Sequence, residues 1–250
     1  MELAVYCLLF VAGFAGGFID SIAGGGGLIT LPALMATGMP VQVALGTNKL
    51  QSSFGTSMAV WRYAKAGLMK TPGLYVAVIL SFLASMGGAM TASAANKELL
   101  NQLVPWLLAA VAVYTALNRR FGIQAGERKM DPVVFAIVFG IALGFYDGFF
   151  GPGTGSFWTL AGAALLGLEL KGATGYTKAA NLASNVGSLC IFLAYGSVHF
   201  GAAAAMIGGQ LLGARLGAGM VIRKGAGFIR PVFLTVVFAM TIKLLWDAWR

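Results

Sequence analysis

Apolar stretches recur from one end of this sequence to the other, many of membrane-crossing length, and short basic clusters separate several of them. Five precede the basic segment Arg119 to Lys129, near residues 3–22, 28–38, 47–66, 73–94 and 100–118. Five follow it, near 132–150, 155–168, 174–196, 200–221 and 229–248. A spanning helix takes about 20 apolar residues, so the chain holds at most about ten crossings. Only 10% of the side chains are charged and mean hydropathy is +0.83, which leaves too few polar groups to face water all round. An ordinary cytosolic enzyme, a disordered chain and a disulfide scaffold are excluded. The expected class is an all-α polytopic membrane protein.

The two sets of five are related. Gly17-Phe18-Ile19-Asp20 precedes the run Gly24, Gly25, Gly26, Gly27, and Gly144-Phe145-Tyr146-Asp147 precedes Gly151-Pro152-Gly153-Thr154-Gly155, 127 positions on. Gly46-Thr47-Asn48-Lys49 matches Gly175-Tyr176-Thr177-Lys178, 129 positions on. Apolar composition alone would not place Asp, a glycine cluster and a Gly-x-x-Lys in the same order twice. Residues 1–118 therefore read as one transmembrane repeat, 119–130 as a basic cytoplasmic linker and 131–250 as a second repeat.

Net charge is +9, and the cations sit in clusters between apolar runs rather than on the basic face that nucleic-acid binding needs. The clusters are Arg62, Lys65 and Lys70; Arg119, Arg120, Arg128 and Lys129; and Arg223, Lys224 and Arg230. All three fall on one side only if the short second and seventh stretches cross. Cytoplasmic loops are enriched in Lys and Arg, so both termini are expected outside. Five crossings per half make the repeats inverted, a recurring transporter plan with helices broken at glycine. Met1-Glu2-Leu3 lacks the basic start of a secretory signal and reads as the beginning of the first helix.

In a membrane, non-helical backbone survives only where protein or a water-filled cavity satisfies it. The glycine breaks are such backbone, and the half-helices after them, beginning near Leu28 and Ser156, are expected to turn free amides and a positive dipole end into a cavity suited to an anion. The plainer reading is glycine packing. Helix starts are expected after Gly46 and Gly175. From there Lys49, Ser52 and Thr56 share one face, and Lys178, Asn181 and Asn185 repeat the spacing. Asn48, Gln51, Ser53, Thr177 and Ser184 add polar groups. Such stripes hold an oxyanion through a lysine charge and hydroxyl or amide donors, or else they are snorkelling lysines and helix–helix glue. Counting along the helices puts Lys49 in the outer third and Lys178 in the inner third, so they serve one central site or two opposite gates.

Asp20 and Asp147 are costly in a membrane unless paired or functional. They read as proton-coupling carboxylates, counter-ions for Lys49 or Lys178, or caps of the broken segments. Arg215 sits among Gly209, Gly213 and Gly217, whose spacing marks a close helix contact; it snorkels or lines an anion path. His199 and Lys97 are expected at the outer ends. Cys7 and Cys190 read as small buried hydrophobes, and one histidine with two distant cysteines makes no metal centre.

At these motifs, from Ala15 to Leu28, Gly46 to Gln51, Gly144 to Gly155 and Gly208 to Gly217, the chain resembles the TauE/SafE family of sulfite-exporter-like permeases. The resemblance implies a multi-pass bacterial inner-membrane protein that moves sulfur-containing anions such as sulfite or organosulfonates. With it, the residues point to a secondary transporter. Gly24 to Gly27, Asn48, Lys49, Gln51, Ser52, Gly151, Gly153, Thr154, Thr177, Lys178, Asn181 and Asn185 are the expected substrate contacts. A small anion and the bilayer are the expected partners, a homodimer is compatible with the chain, and no cofactor, metal, nucleic acid or enzymatic activity is expected. A passive anion channel is the rival with the same architecture. A sulfur-relay enzyme would want a reactive cysteine or a His–carboxylate group.

Overall fold

The computed structural model describes residues 2–96 and 126–224, together with Glu98, Leu100 and Trp106. The stretch expected near 229–248, nearly all of that near 100–118, and Lys97, Arg119, Arg120 and Arg230 lie outside the described residues. Eight helices are present among the described ones: α1 (Leu3–Ala23), α2 (Gly27–Met35), α3 (Val41–Lys65), α4 (Leu74–Ala94), α5 (Pro132–Phe149), α6 (Thr154–Leu165), α7 (Leu170–Ala194) and α8 (Phe200–Lys224). The class is all-α. Four of these helices, α1, α4, α5 and α8, are long and apolar enough to cross a membrane.

Local chemistry explains the boundaries. α5 starts where Asp131 accepts hydrogen bonds from the amides of Val133 and Val134, with Pro132 in the first turn. α1 ends at Gly24, whose φ of 77° turns the chain left-handed while its N–H donates to Asp20 O. Gly151, the matching position after α5, has φ of 97°. The short helices α2 and α6 have 9 and 12 residues. At 1.5 Å per residue each spans about half of a ~30 Å hydrocarbon core.

Two expected starts move. α3 begins at Val41 and α7 at Leu170, so Gly46 and Gly175 lie inside helices rather than before them. Their job is close packing. A Cβ on Gly46 would run into the backbone carbonyl of Ser197, and one on Gly175 into that of Leu68.

Each half's first helix packs against the fourth helix of the other. Gly13 and Gly17 of α1 rest on Met206 and Gln210 of α8, and Gly209, Gly213 and Gly217 rest on the Phe10, Phe14 and Phe18 backbone. The register advances in the same direction on both helices, so the pair is parallel. The same arrangement joins α4 and α5. Gly140 and Gly144 meet Ala77 and Ser81, positions offset from the first set by the same 127 and 129 residues. Without side chains at these glycines the backbones approach closely, which is how helices gain packing energy where water gives none.

Several described basic residues gather at one end of the bundle. Arg62 reaches Gly219 near the end of α8, Lys171 donates to Ile222 O, and Lys129 N–H donates to Leu165 O. The opposite end joins the starts of α1, α3 and α8 to the ends of α4 and α7. There Tyr6 lies beside Gly201, His199 N–H donates to Thr47 Oγ1, and Gln42 donates to Ala95 O. α1 thus starts at the end away from the basic residues, and α5 starts among them.

Cys7 and Cys190 are exposed on outward helix faces and form no disulfide, which corrects the expectation of buried cysteines. In a bilayer such outward positions face lipid, where an apolar side chain needs no protein partner. Arg215 is also exposed, on the far side of α8 from the glycine contact with α1. It lines no part of the cavity described below, and snorkelling is the reading that its position leaves.

Candidate functional site

The two glycine breaks meet back to back. A Cβ on Gly24 or on Gly155 would fall on the backbone of the other, Gly27 packs on Pro152, and Ser156 Oγ donates to Ala23 O at 2.9 Å. Only glycine allows this approach together with the positive φ of Gly24.

Beside the junction lies a small polar cavity of about 30 Å³, above the roughly 10–15 Å³ that a single water needs. Gly24, Gly27, Gly151, Gly153 and Gly155 line it as backbone. Asn48, Lys49 and Ser52 of α3, Asn181 and Asn185 of α7, and the carboxylates of Asp20 and Asp147 complete the wall. The stripes expected on two helix faces thus converge from both halves on one space. Asn181 Oδ1 is buried there with no hydrogen-bond partner.

The charges are crossed between the halves. Lys49 Nζ lies 2.7 Å from Asp147 Oδ1, and Lys178 Nζ lies 2.8 Å from Asp20 Oδ2. Neither carboxylate serves as a side-chain cap; each is a counter-ion. The pairs are unequal. Lys49 also donates to Asp147 O and, at 3.4 Å, to Asn185 Oδ1, while Ser184 donates to Asp147 Oδ2. Asp147 is nearly sealed, with 6% of its side chain exposed, whereas Asp20 keeps 20%. Lys178 is wholly buried but stands behind Asp20, outside the cavity wall.

Other expected residues sit one layer back. Gln51 is fully buried and donates to Asn48 Oδ1 at 2.8 Å and to Ser52 Oγ at 3.0 Å. Thr154 Oγ1 donates to Gly151 O, and Thr177 shares a 3.0 Å hydroxyl contact with Thr159. Gly25 packs on Ile19 and Leu28, and Gly26 on Gly16 and the Asp20 Cβ. The amides expected to be free at Leu28 and Ser156 are already used, donating to Gly25 O and Gly153 O. Tight turns at the breaks consume them, so the polar wall rests on side chains more than on those amides.

Two threonines escaped the sequence reading. Thr30 Oγ1 donates to Asn48 Oδ1 at 2.6 Å, and Thr159, 129 positions on, meets Thr177, the counterpart of Asn48. Extending the repeat offset from the lysines to the short helices would have found both.

Such a wall, with a buried ammonium, amides and hydroxyls around a cavity, is equipped to hold a small oxyanion by charge and directed hydrogen bonds. Comparison with known proteins agrees in kind. The sulfite exporter TauE/SafE family model matches residues 9–244. The chain is 40% identical over 241 residues to the probable membrane transporter protein YfcA of Escherichia coli K12, covering 96% of this chain and 90% of that one. It is 41% identical over 248 residues to the probable membrane transporter protein ORF9 of Sinorhizobium, covering 98% and 95%, and 39% identical to a probable membrane transporter protein of Haemophilus influenzae, covering 96% and 94%. No solved structure matches significantly. Two halves that share one buried polar cavity, in a chain matched almost throughout, belong to the TauE/SafE family of membrane transporters.

Proposed function

We propose that the chain is a secondary transporter for a small sulfur-containing anion, such as sulfite or an organosulfonate, in the bacterial inner membrane. The observation that carries this reading is Lys49, buried in the wall of a cavity shared by both halves and surrounded by Asn48, Ser52, Asn181 and Asn185. The sulfur chemistry comes from the family. The remaining expected contacts, Gln51, Thr154, Thr177 and Lys178, act by holding that wall.

So small a space, with Lys49 held by Asp147 in its wall, suits a carrier that opens to one side at a time better than a standing pore. Alternating access would move α1 with α8 against α4 with α5, because those parallel pairs are the close-packed units. The proposed topology is ten crossings in two inverted repeats, basic end in the cytoplasm and N-terminus in the periplasm. The opposite starting ends of α1 and α5 support it, as does the gathering of Arg62, Lys129 and Lys171 at one end.

The test is flux in proteoliposomes over sulfite, sulfate, thiosulfate, sulfonates and carboxylates. Saturable uptake of a sulfur anion, abolished by Lys49→Ala and by Lys178→Ala in protein that still inserts, is the expected result. Uptake of carboxylates alone overturns the substrate class, and normal flux in both variants overturns the site.

A further inference from the structure

The cavity has a charge balance with a consequence for what travels with the anion. Lys49 and Lys178 are matched by Asp147 and Asp20, so the site is neutral as it stands. A buried anion added to a neutral, low-dielectric site is strongly unfavourable unless a positive charge comes with it or a negative one is removed. Lys49 is the cation that lines the cavity, and an anion that pairs with its ammonium competes with the Asp147 carboxylate for it.

The displaced carboxylate is left without a cation of its own among the described residues. Among the described residues, α3 brings it Lys49, α7 brings the Ser184 hydroxyl, with Asn185 turned to Lys49, and α4 brings the Ser85 backbone beside Gly148. On its own helix Tyr146 turns its hydroxyl to Pro152 O, and across the cavity stands Asp20, a like charge. Asp20, by contrast, retains Lys178 and partial exposure. We propose that Asp147 is the coupling carboxylate: an anion takes Lys49 from it, Asp147 binds one proton in exchange, and that proton crosses with each anion. The proton comes from water on the open side, adds to a carboxylate oxygen of Asp147, and leaves when the anion departs and Lys49 returns. The inference rests on the transport reading above.

The experiment uses the full chain in proteoliposomes with a pH dye inside and the voltage clamped by potassium and valinomycin. Methanesulfonate is the main probe because its sulfonic acid group stays ionised, so no proton rides on the substrate itself; sulfite is run in parallel. External methanesulfonate should acidify the lumen at about one proton per anion, insensitive to voltage and to replacing sodium with choline. Affinity should fall up to about tenfold per pH unit where one proton is taken up with the anion. Asp147→Asn should lose proton movement together with the pH dependence of anion binding. Should that variant not fold, Ser184→Ala carries the test: with its hydrogen bond to the carboxylate gone, the pH profile of uptake should move to more alkaline values with coupling intact. Saturable anion uptake without acidification, a requirement for sodium, or an unchanged pH profile in Ser184→Ala overturns the coupling and leaves the transport reading standing. If neither methanesulfonate nor sulfite moves, both readings fall.

Discussion

Asn185 and Thr56 lie 129 positions apart, the same offset as the two lysines, and touch each other, Nδ2 donating to Oγ1 at 3.4 Å. One comes from α3 of the first half and the other from α7 of the second. The contact therefore marks the junction of the halves, with Lys49 immediately beside it through Asn185 Oδ1. The cavity lies where relative motion of the halves would change its shape most directly.

The inequality of the two ion pairs predicts unequal stability. Breaking a buried pair strands a charge and costs about 3–5 kcal/mol. Lys49→Met should approach that loss, because Asp147 is almost sealed; Lys178→Met should cost less, because Asp20 is one-fifth exposed. The double variant Lys49→Met/Asp147→Asn should recover most of the stability and none of the flux. Thermal unfolding in detergent, with flux on the same preparations, checks all three.

Glycine substitutions separate strain from collision. Gly24 and Gly38 both have positive φ, but only Gly24 faces another backbone, that of Gly155. Gly38→Ala should cost about 1 kcal/mol for its left-handed conformation alone. Gly24→Ala adds a clash that the junction cannot relieve, and should prevent recovery of folded protein. Size-exclusion profiles of the two variants from matched cultures decide the comparison.

The paired threonines should tune the site without building it. Thr30→Val removes the hydrogen bond to Asn48, and Thr159→Val the one to Thr177, each worth about 1 kcal/mol. Thr30→Val is expected to raise KM for the anion severalfold, because Asn48 is in the cavity wall and Thr177 is not. Thr159→Val should leave KM nearly unchanged. Initial rates over a substrate series measure both.

Outward-facing residues should be silent. Arg215→Gln should leave flux near that of the parent chain, and stability within about 0.5 kcal/mol of it. Replacing Cys7 and Cys190 together with Ser should also retain flux. Loss of transport in the cysteine-free protein would point to thiol chemistry instead.

The sequence disclosed the long apolar helices and the polar stripes because each leaves a local pattern. Periodicity marked the helices, and the Asp–glycine and Gly-x-x-Lys motifs marked the segments that meet at the cavity. The choice of partners was less legible. A lysine in one half and a carboxylate in the other carry no sequence mark saying that they pair across halves, since that follows from exchanged helix packing. The starts of α3 and α7 were misplaced for a related reason. A glycine that ends a helix and one that admits a neighbour look alike until the neighbour, here Ser197 or Leu68, is known. The cysteines misled because an apolar run faces lipid as readily as it faces protein.

Exchanged packing also bears on how the protein is made. Asp20 is synthesised 158 residues before Lys178, its partner. At roughly 5–20 residues per second, the ribosome takes about ten to thirty seconds to supply it. During that interval α1 has neither its counter-ion nor the α8 surface that receives its glycines. The newborn first half is an incomplete membrane protein, and completion of the second half is the event that turns it into a folded one.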